Sequence, residues 1–275
     1  MVHRMPVGFL PFFNHLRIMK ESRRSNWENF WDEKKDVHEV YSNSDRVVRN
    51  LSKIVDLKGK KILEVGAGTG RDSFPLVEHG AEVFQLDYSI NSLKIMKRLA
   101  NEEKISVSIV GGDTFCLPFR DNTFDIVFHQ GLLEHFRPQQ AEALLKENIR
   151  ILKQGGLLLV DVPQRYHVYT VIKHFLIVIN KWFAGWEREF SVGELRREME
   201  QLDLQIVHTY GEWMYPSLFY RATREALLKT GIKLPLYPTL FRPLTSMRRS
   251  VREALRDTPI VVNTSLSFGL VGKKR

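Results

Sequence analysis

From Gly59 onward the chain alternates short apolar runs with amphipathic stretches, and this alternation most narrows what it can fold into. Lys60–Val65, Glu82–Asp87, Val107–Val110, Phe124–His129, Gly156–Val160 and Gln205–Thr209 have the length and residue bias of strands. Patterns at helical spacing lie between them, over Ser73–His79, Ser89–Asn101, Pro138–Lys153 and Ser191–Gln201. Strands joined through helices pair in parallel, so the pattern predicts an α/β sheet wound on both faces. A last apolar stretch, Thr264–Gly272, reads as a final edge or inserted strand. Three segments break the alternation: an N-terminal arm over 1–45 with Trp27 and Trp31, an apolar helical insertion at 165–190, and a basic, proline-punctuated insertion at 214–258. They read as decorations of one domain over 46–275.

With 43% hydrophobic and 27% charged residues, the 275-residue chain is neither disordered nor fibrous. Its one cysteine, Cys116, rules out a disulfide framework or a cysteine-based zinc site, and no metal is expected. A reducing compartment, the cytoplasm by default, is the expected location. The apolar run Val7–Phe13 contains Pro11 and lacks a small-residue cleavage site, which makes it a poor signal peptide. Val168–Ile179, interrupted by Lys173 and His174, falls short of the roughly 20 apolar residues a bilayer span needs. No transmembrane helix is expected, although an interfacial one stays open. The net charge of +9 sits entirely in the last fifth of the chain, where Arg221–Arg275 holds 12 Lys and Arg against 3 Asp and Glu. That asymmetry points to an acidic partner for this segment.

Ile62–Val65 runs into Gly66-Ala67-Gly68-Thr69-Gly70, and Arg71-Asp72-Ser73 then opens a helix. Glycines suit such a turn because it needs positive φ and because a ligand must reach bare backbone near the helix N-terminus. The loop reads as nucleotide-binding. A dinucleotide fingerprint would require glycine at 71, where the chain has Arg71, which argues against a nicotinamide or flavin enzyme. Asp87 ends the second strand, placed to accept hydrogen bonds from both ribose hydroxyls of an adenosine. Gly111-Gly112-Asp113-Thr114 ends the third, where Asp113 could accept from the adenine amine. Singly, Asp87 could be a helix cap and Asp113 a turn residue; their joint spacing favours ligand contact.

These residues, with Glu64-Val65 before the loop, Leu117-Pro118-Phe119, Phe124-Asp125, Leu133-Glu134-His135 and Leu152-Lys153-Gln154-Gly155-Gly156, resemble the class I S-adenosylmethionine-dependent methyltransferases over residues 45–165. The subgroup is the small-molecule, quinone-biosynthesis-like "methyltransferase domain 11" type. The resemblance implies a Rossmann-like, mostly parallel seven-stranded sheet of order 3-2-1-4-5-7-6, with Thr264–Gly272 as the antiparallel seventh strand and helical caps over the substrate. It implies S-adenosyl-L-methionine as cofactor. Gly66, Ala67, Gly68 and Gly70 would line its methionine part, and Glu64 would steady the loop and help hold the amino group. Asp87 would bind the ribose, Tyr88 would pack near the adenine, Asp113 with Thr114 would read the adenine edge, and Gln130 would contact the methionine end.

Methyl transfer needs alignment of the nucleophile and, for a hydroxyl or acidic carbon, removal of its proton. Histidine suits that task near neutral pH. His135, beyond the fourth strand, is the first candidate, although a structural or cofactor-organising role for it stays open. His129 closes the strand and reads more readily as a core histidine; His167 is a third, weaker candidate. Phe128-His129-Gln130-Gly131 stands where amine methyltransferases carry Asn-Pro-Pro-Tyr, which favours an oxygen or carbon acceptor.

Acceptors in this fold are usually captured above the carboxyl ends of the strands, here by the arm and both insertions. Val171, Ile172, Phe175, Leu176, Ile179, Trp182 and Phe183 form a stripe at helical spacing expected to pack on the domain, with Tyr169, Ile177 and Val178 outside it. The helix is a core lid, a wall of a lipophilic pocket or a membrane-surface element. Arg188 could face the acceptor, and Ser191-Val192-Gly193-Glu194 is a helix capping box. Arg242, Arg248, Arg249, Arg252 and Arg256 are solvated surface, or contact anionic lipid or a phosphorylated acceptor; no nucleic-acid-binding module accompanies them. The expected function is methylation of a small or lipophilic acceptor, with an RNA-directed methyltransferase or a non-catalytic cofactor-binding protein as the alternatives.

Overall fold

A computed structural model of the chain describes residues 22–33, 45–179, 182, 184–213, 215–238 and 241–275. The run Val7–Phe13, the rest of the arm over 1–21 and 34–44, Phe183 and the Arg242 side chain lie outside the described residues.

Helices α1 (Arg24–Glu33) and α2 (Asp45–Leu51) precede β1 (Lys61–Val65), a 3-10 turn at Arg71–Ser73 and α3 (Phe74–Glu78). There follow β2 (Glu82–Asp87), α4 (Ile90–Glu102), β3 (Ser108–Gly111), β4 (Phe124–Gln130), α5 (Pro138–Ile151) and β5 (Leu152–Pro163). The last part comprises α6 (Val168–Val178), α7 (Val192–Glu200), β6 (Leu204–Glu212), α8 (Leu218–Leu228), α9 (Arg242–Leu255), α10 (Pro259–Thr264) and β7 (Ser267–Lys274). The seven strands make one sheet of order 3-2-1-4-5-7-6, as expected. Neighbours β3, β2, β1, β4 and β5 pair in parallel, while β7 runs antiparallel between β5 and β6.

Period-two alternation explains why the central strands read as unbroken apolar runs. Leu63, Val65, Val127, Leu158 and Val160 pack on one face of the sheet, and Ile62, Ile126, Phe128, Leu157 and Leu159 on the other. Helices must therefore cover both faces. The capping box at α7 forms as expected: the Glu194 amide donates to Ser191 Oγ (3.3 Å), and the Ser191 amide to Glu194 Oε2 (2.9 Å). β5 begins before the expected Gly156, since the chain leaves α5 directly into extended backbone at Leu152.

A buried ion pair and a half-buried cluster of three arginines about one glutamate fasten the far side of the sheet. Arg46 on α2 donates to Asp161 Oδ1 on β5 (2.9 Å) and to Ser267 Oγ on β7 (2.8 Å), while the Tyr210 hydroxyl on β6 donates to Asp161 Oδ2 (3.0 Å). Glu212, at the end of β6, gathers Arg49 (2.7 Å), Arg252 (3.1 Å) and Arg256 (3.8 Å). Part of the basic C-terminal charge is thus neutralised within the fold. Arg248 lies over the Tyr215 ring, 4.0 Å from its centroid. Among the described residues no helix is long and apolar enough to cross a membrane.

Candidate active site

The carboxyl ends of β1, β2, β3 and β4 open onto a cavity of about 660 Å³, within the range of small-ligand sites. The glycine loop forms its floor. Gly66 and Gly68 have φ of +66° and +57°; a Cβ on Gly66 would meet Leu132 Cδ1 at 2.9 Å, and one on Gly68 would meet Trp31 Cζ2 at 2.7 Å. Glycine is therefore needed at both positions, for the positive φ and for the close approach of Leu132 and Trp31. Asp87 stands at the cavity wall, accepting from the Gly68 amide (2.9 Å) and the Ser89 amide (2.9 Å). Burial raises its carboxyl above the ordinary value, and those N–H donors oppose the rise. Tyr88, Asp113 and Thr114 also line the cavity. Asp113 accepts from the Phe115 amide (2.9 Å), while Thr114 Oγ1 is buried without a partner.

Glu64, Ala67, Gly70 and Gln130 stand beside the cavity and do not line it. The Ser73 hydroxyl lies 2.6 Å from Glu64 Oε2, tying strand to helix, and burial together with the Asp72 charge pushes the Glu64 carboxyl well up. Gly70 packs on Gln85, which donates to the Gly70 carbonyl (2.7 Å), and Gln130 donates to Asp72 (2.9 Å). These four shape and brace the loop.

The roof comes from the arm. Trp27 and Trp31, one helical turn apart on α1, line the cavity with Arg24. Glu28 on the same helix takes the Ser89 hydroxyl (2.8 Å) and the Ile90 amide (2.9 Å) at the start of α4. Burial alone would raise the Glu28 carboxyl, but these donors, the Asn91 amide and Arg24 together hold it below its ordinary value. Arg24 donates to the Tyr88 carbonyl (2.6 Å). Among the described residues, no residue of 165–190 or 214–258 lines this cavity, against the expectation that both insertions close over it.

His135 lines the cavity and stacks edge-on against Trp27, ring centroids 4.8 Å apart. Behind it lies a buried charge cluster that sequence reasoning missed. His135 Nδ1 is 3.5 Å from Glu187 Oε1, Lys173 Nζ donates to Glu187 Oε2 (2.6 Å), and the Trp182 indole donates to Glu187 Oε1 (2.7 Å). Lys173 Nζ is also 2.7 Å from Glu189 Oε1. Burial lowers the His135 pKa, with Glu187 opposing and Lys173 reinforcing that effect. Burial and then the Glu187 charge push Glu134 up to about 8. Arg188, the residue of this stretch expected to face the acceptor, does not line the cavity; it pairs with Glu198 (2.5 Å) and lies over Phe190, while its neighbours Glu187 and Glu189 turn inward. His167 accepts from the Tyr169 amide (3.1 Å) and caps α6, away from the cavity lining.

His129 is fully buried, lines no part of the cavity and has both ring nitrogens without partners. Burial pushes its pKa down from 6.5 to about 3. Between those values the unfolded chain binds more protons, so stability is full above pH 6.5 and falls as pH drops, by about 1.4 kcal/mol per unit. Urea unfolding at pH 7.5 and pH 5 should show His129→Leu losing about 2 kcal/mol less than the wild type over that interval. Equal losses would mean the ring charges without cost.

A glycine-floored cavity at the carboxyl ends of this strand order defines the class I methyltransferase fold. Residues 63–160 match the family described as "Methyltransferase domain". It is 39% identical over 103 residues to a demethylmenaquinone methyltransferase from Renibacterium salmoninarum, covering 37% of this chain and 40% of that protein. It is 29% identical over 174 residues to a ubiquinone biosynthesis O-methyltransferase from Coxiella burnetii, covering 62% and 74%. The chain spans less than half the length of the demethylmenaquinone methyltransferases it matches. A solved structure described as a possible histamine N-methyltransferase from Thermotoga maritima aligns with TM-score 0.61 at 17% identity, covering 92% of this chain and 100% of its own. Magnesium protoporphyrin IX methyltransferase from Synechocystis, with bound SAH, aligns with TM-score 0.54 at 16% identity, covering 99% and 90%. These structural likenesses establish the fold.

Proposed function

We propose that the protein is an S-adenosylmethionine-dependent methyltransferase acting on a small, lipophilic acceptor at oxygen or carbon. It would work as a single domain over 46–275, with the arm over 1–45 supplying part of the roof. The observation that carries this reading is the convergence of Gly66, Gly68, Asp87, Asp113 and His135 on one cavity. Its donor and acceptor set fits the cofactor. Two successive strand ends present carboxylates, suited to the hydroxyls of a ribose and the amine of an adenine, and the partnerless Thr114 Oγ1 leaves a polar atom for a ligand to satisfy. Trp27, Leu132, Phe115 and Phe136 give the rest of the lining an apolar character that suits a lipophilic acceptor, in keeping with the quinone-pathway names of the relatives.

When bound, the cofactor supplies an activated methyl group on a sulfonium, whose departure requires no acid. The chain's residues have the remaining tasks. Asp87 and the bare loop hold the nucleoside, and Trp27 and Trp31 shield the cavity from water. His135, kept neutral by burial, would accept the proton of a hydroxyl or acidic carbon. Glu187 behind it, with Oε1 3.5 Å from Nδ1, is a positioning residue that acts on the ring through its charge.

Calorimetric titration with S-adenosylhomocysteine tests the reading. The wild type should bind saturably, and Asp87→Ala, Asp113→Ala and Gly68→Ala should each bind at least about tenfold more weakly, since each loses a charge-assisted contact or forces a Cβ against Trp31. Absence of wild-type binding, or equal binding by all three variants, would overturn it.

A further inference from the structure

The apolar stripe on α6 faces the opposite way from the sequence expectation. Val171, Phe175 and Val178 are 71%, 64% and 61% exposed, and Val168, Ile172 and Ile179 join them on the outer face. The inner face carries Lys173, 2% exposed, with Ile177 and the half-buried Tyr169, Thr170 and Leu176. An ordinary surface helix turns its apolar side inward; this one inverts the rule because Glu187 and Glu189 meet Lys173 inside. The six outward apolar side chains form an exposed greasy ridge, uncommon on a monomer with no use for it.

The surroundings of the ridge indicate what covers it. No Asp or Glu occurs between Gln164 and Glu187, so the ridge carries no negative charge, and its one polar member is His174. Burial raises the Tyr169 hydroxyl above its ordinary value, and the charge of Arg221 on α8 opposes that rise. Phe219 on α8 is the most exposed large apolar residue of the described chain, at 82%. Between Trp213 and Leu255, the end of α9, the acids are Glu225 and Glu253, against eight arginines and lysines. On α9, Met247, Val251 and Arg249 are all exposed. Exposed apolar side chains in a strongly cationic segment with few carboxylates match the interfacial zone of an anionic bilayer. A second copy of the chain would instead bring like charges together.

We infer that α6, assisted by α8 and α9, docks the protein on the surface of an anionic lipid membrane, with the side chains of Val171, Ile172, Phe175 and Val178 inserted among the acyl chains. The helix lies in the plane of the surface and spans nothing. Its inner residue Lys173 holds Glu187, which in turn faces His135, so the docked helix is one ion pair removed from the cavity. A lipophilic acceptor dissolved in the bilayer would be presented on that side. The docking itself does not depend on the proposed activity.

Vesicle co-sedimentation of the full chain without cofactor tests it. Wild type should bind phosphatidylcholine vesicles containing phosphatidylglycerol, bind pure phosphatidylcholine much more weakly, and release with added salt. The double variant Val171→Ser/Phe175→Ser, which alters exposed side chains only, should lose about tenfold or more in partitioning. Arg249→Gln should lose several-fold, about fivefold, on the anionic vesicles alone. Circular dichroism identical to wild type keeps the comparison valid. Failure of the wild type to bind anionic vesicles, or unchanged partitioning of the double variant, would overturn the inference. So would a wild-type dimer that the double variant converts to monomer in sedimentation equilibrium, which would assign the ridge to a second copy. Vesicle binding without S-adenosylhomocysteine binding would uphold docking and sink the methyltransferase reading, so the two fail separately.

Discussion

Replacing Lys173 with methionine is expected to lower the free energy of unfolding by about 3–5 kcal/mol. The ammonium group is buried and touches both Glu187 (2.6 Å) and Glu189 (2.7 Å), themselves buried. Removing it leaves two carboxylates in a low-dielectric site with Glu134, already raised to about 8, as a neighbour. Neutralising the cluster as a whole, with Lys173→Met, Glu187→Gln and Glu189→Gln together, should recover most of the loss, because the cost lies in the unpaired charge rather than in the missing bonds. Urea unfolding at pH 7 measures both. Lys173→Met should also make His135 more basic, since Lys173 depresses its proton affinity and Glu187, left in place, raises it. A histidine titration by nuclear magnetic resonance reads that change, which loss of packing alone would not produce. A loss below about 1 kcal/mol would show that the buried carboxylates accept protons freely.

Arg46→Met is expected to cost a similar amount, about 3–5 kcal/mol, at the opposite side of the sheet. Asp161 would keep the Tyr210 hydroxyl (3.0 Å) but lose its only cation among the described partners. Burial already raises the Asp161 carboxyl above its ordinary value, with Arg46 opposing, so the variant should hold a proton there to higher pH. The sign follows: a carboxyl with a raised folded pKa contributes most below its unfolded value and less as pH rises through the folded one. The variant should therefore be less handicapped near pH 5 than at pH 8. Denaturation midpoints at the two pH values check this, and an equal deficit at both would place the cost in lost packing of the arginine stem.

Strands buried on both faces left a strong trace in the sequence because Leu157–Val160 is uninterrupted by polar residues and Ile62–Val65 holds only Glu64 among its apolar residues. The cavity residues Gly66, Gly68, Asp87 and Asp113 were legible for a related reason: they stand at the carboxyl ends of strands, which glycine and aspartate mark in the sequence. The roof was not, since Glu28 meets Ile90 across a separation of 62 residues and nothing local marks the pair. Glu187 was hidden likewise, 52 positions from the His135 it faces. The periodicity of α6 put Val171, Ile172, Phe175 and Ile179 on one face, as found, but misplaced Leu176 and Val178, and it carries no sign: it says which residues share a face and not whether that face looks in or out. The choice rested with Lys173, which finds its partners only in the folded chain.

The grip of Glu28 on the first amides of α4 has a kinetic meaning. α1 is held over the cavity by bonds to Ser89, Ile90 and Tyr88, and Trp31 rests on Gly68. On the proposed reading a nucleoside on the floor would leave past this helix, so Glu28 would govern its release without touching it. Substitution of Glu28 is expected to loosen the arm and shorten the stay of product, so a turnover paced by the arm would rise in the variant while one paced by bond making would not change.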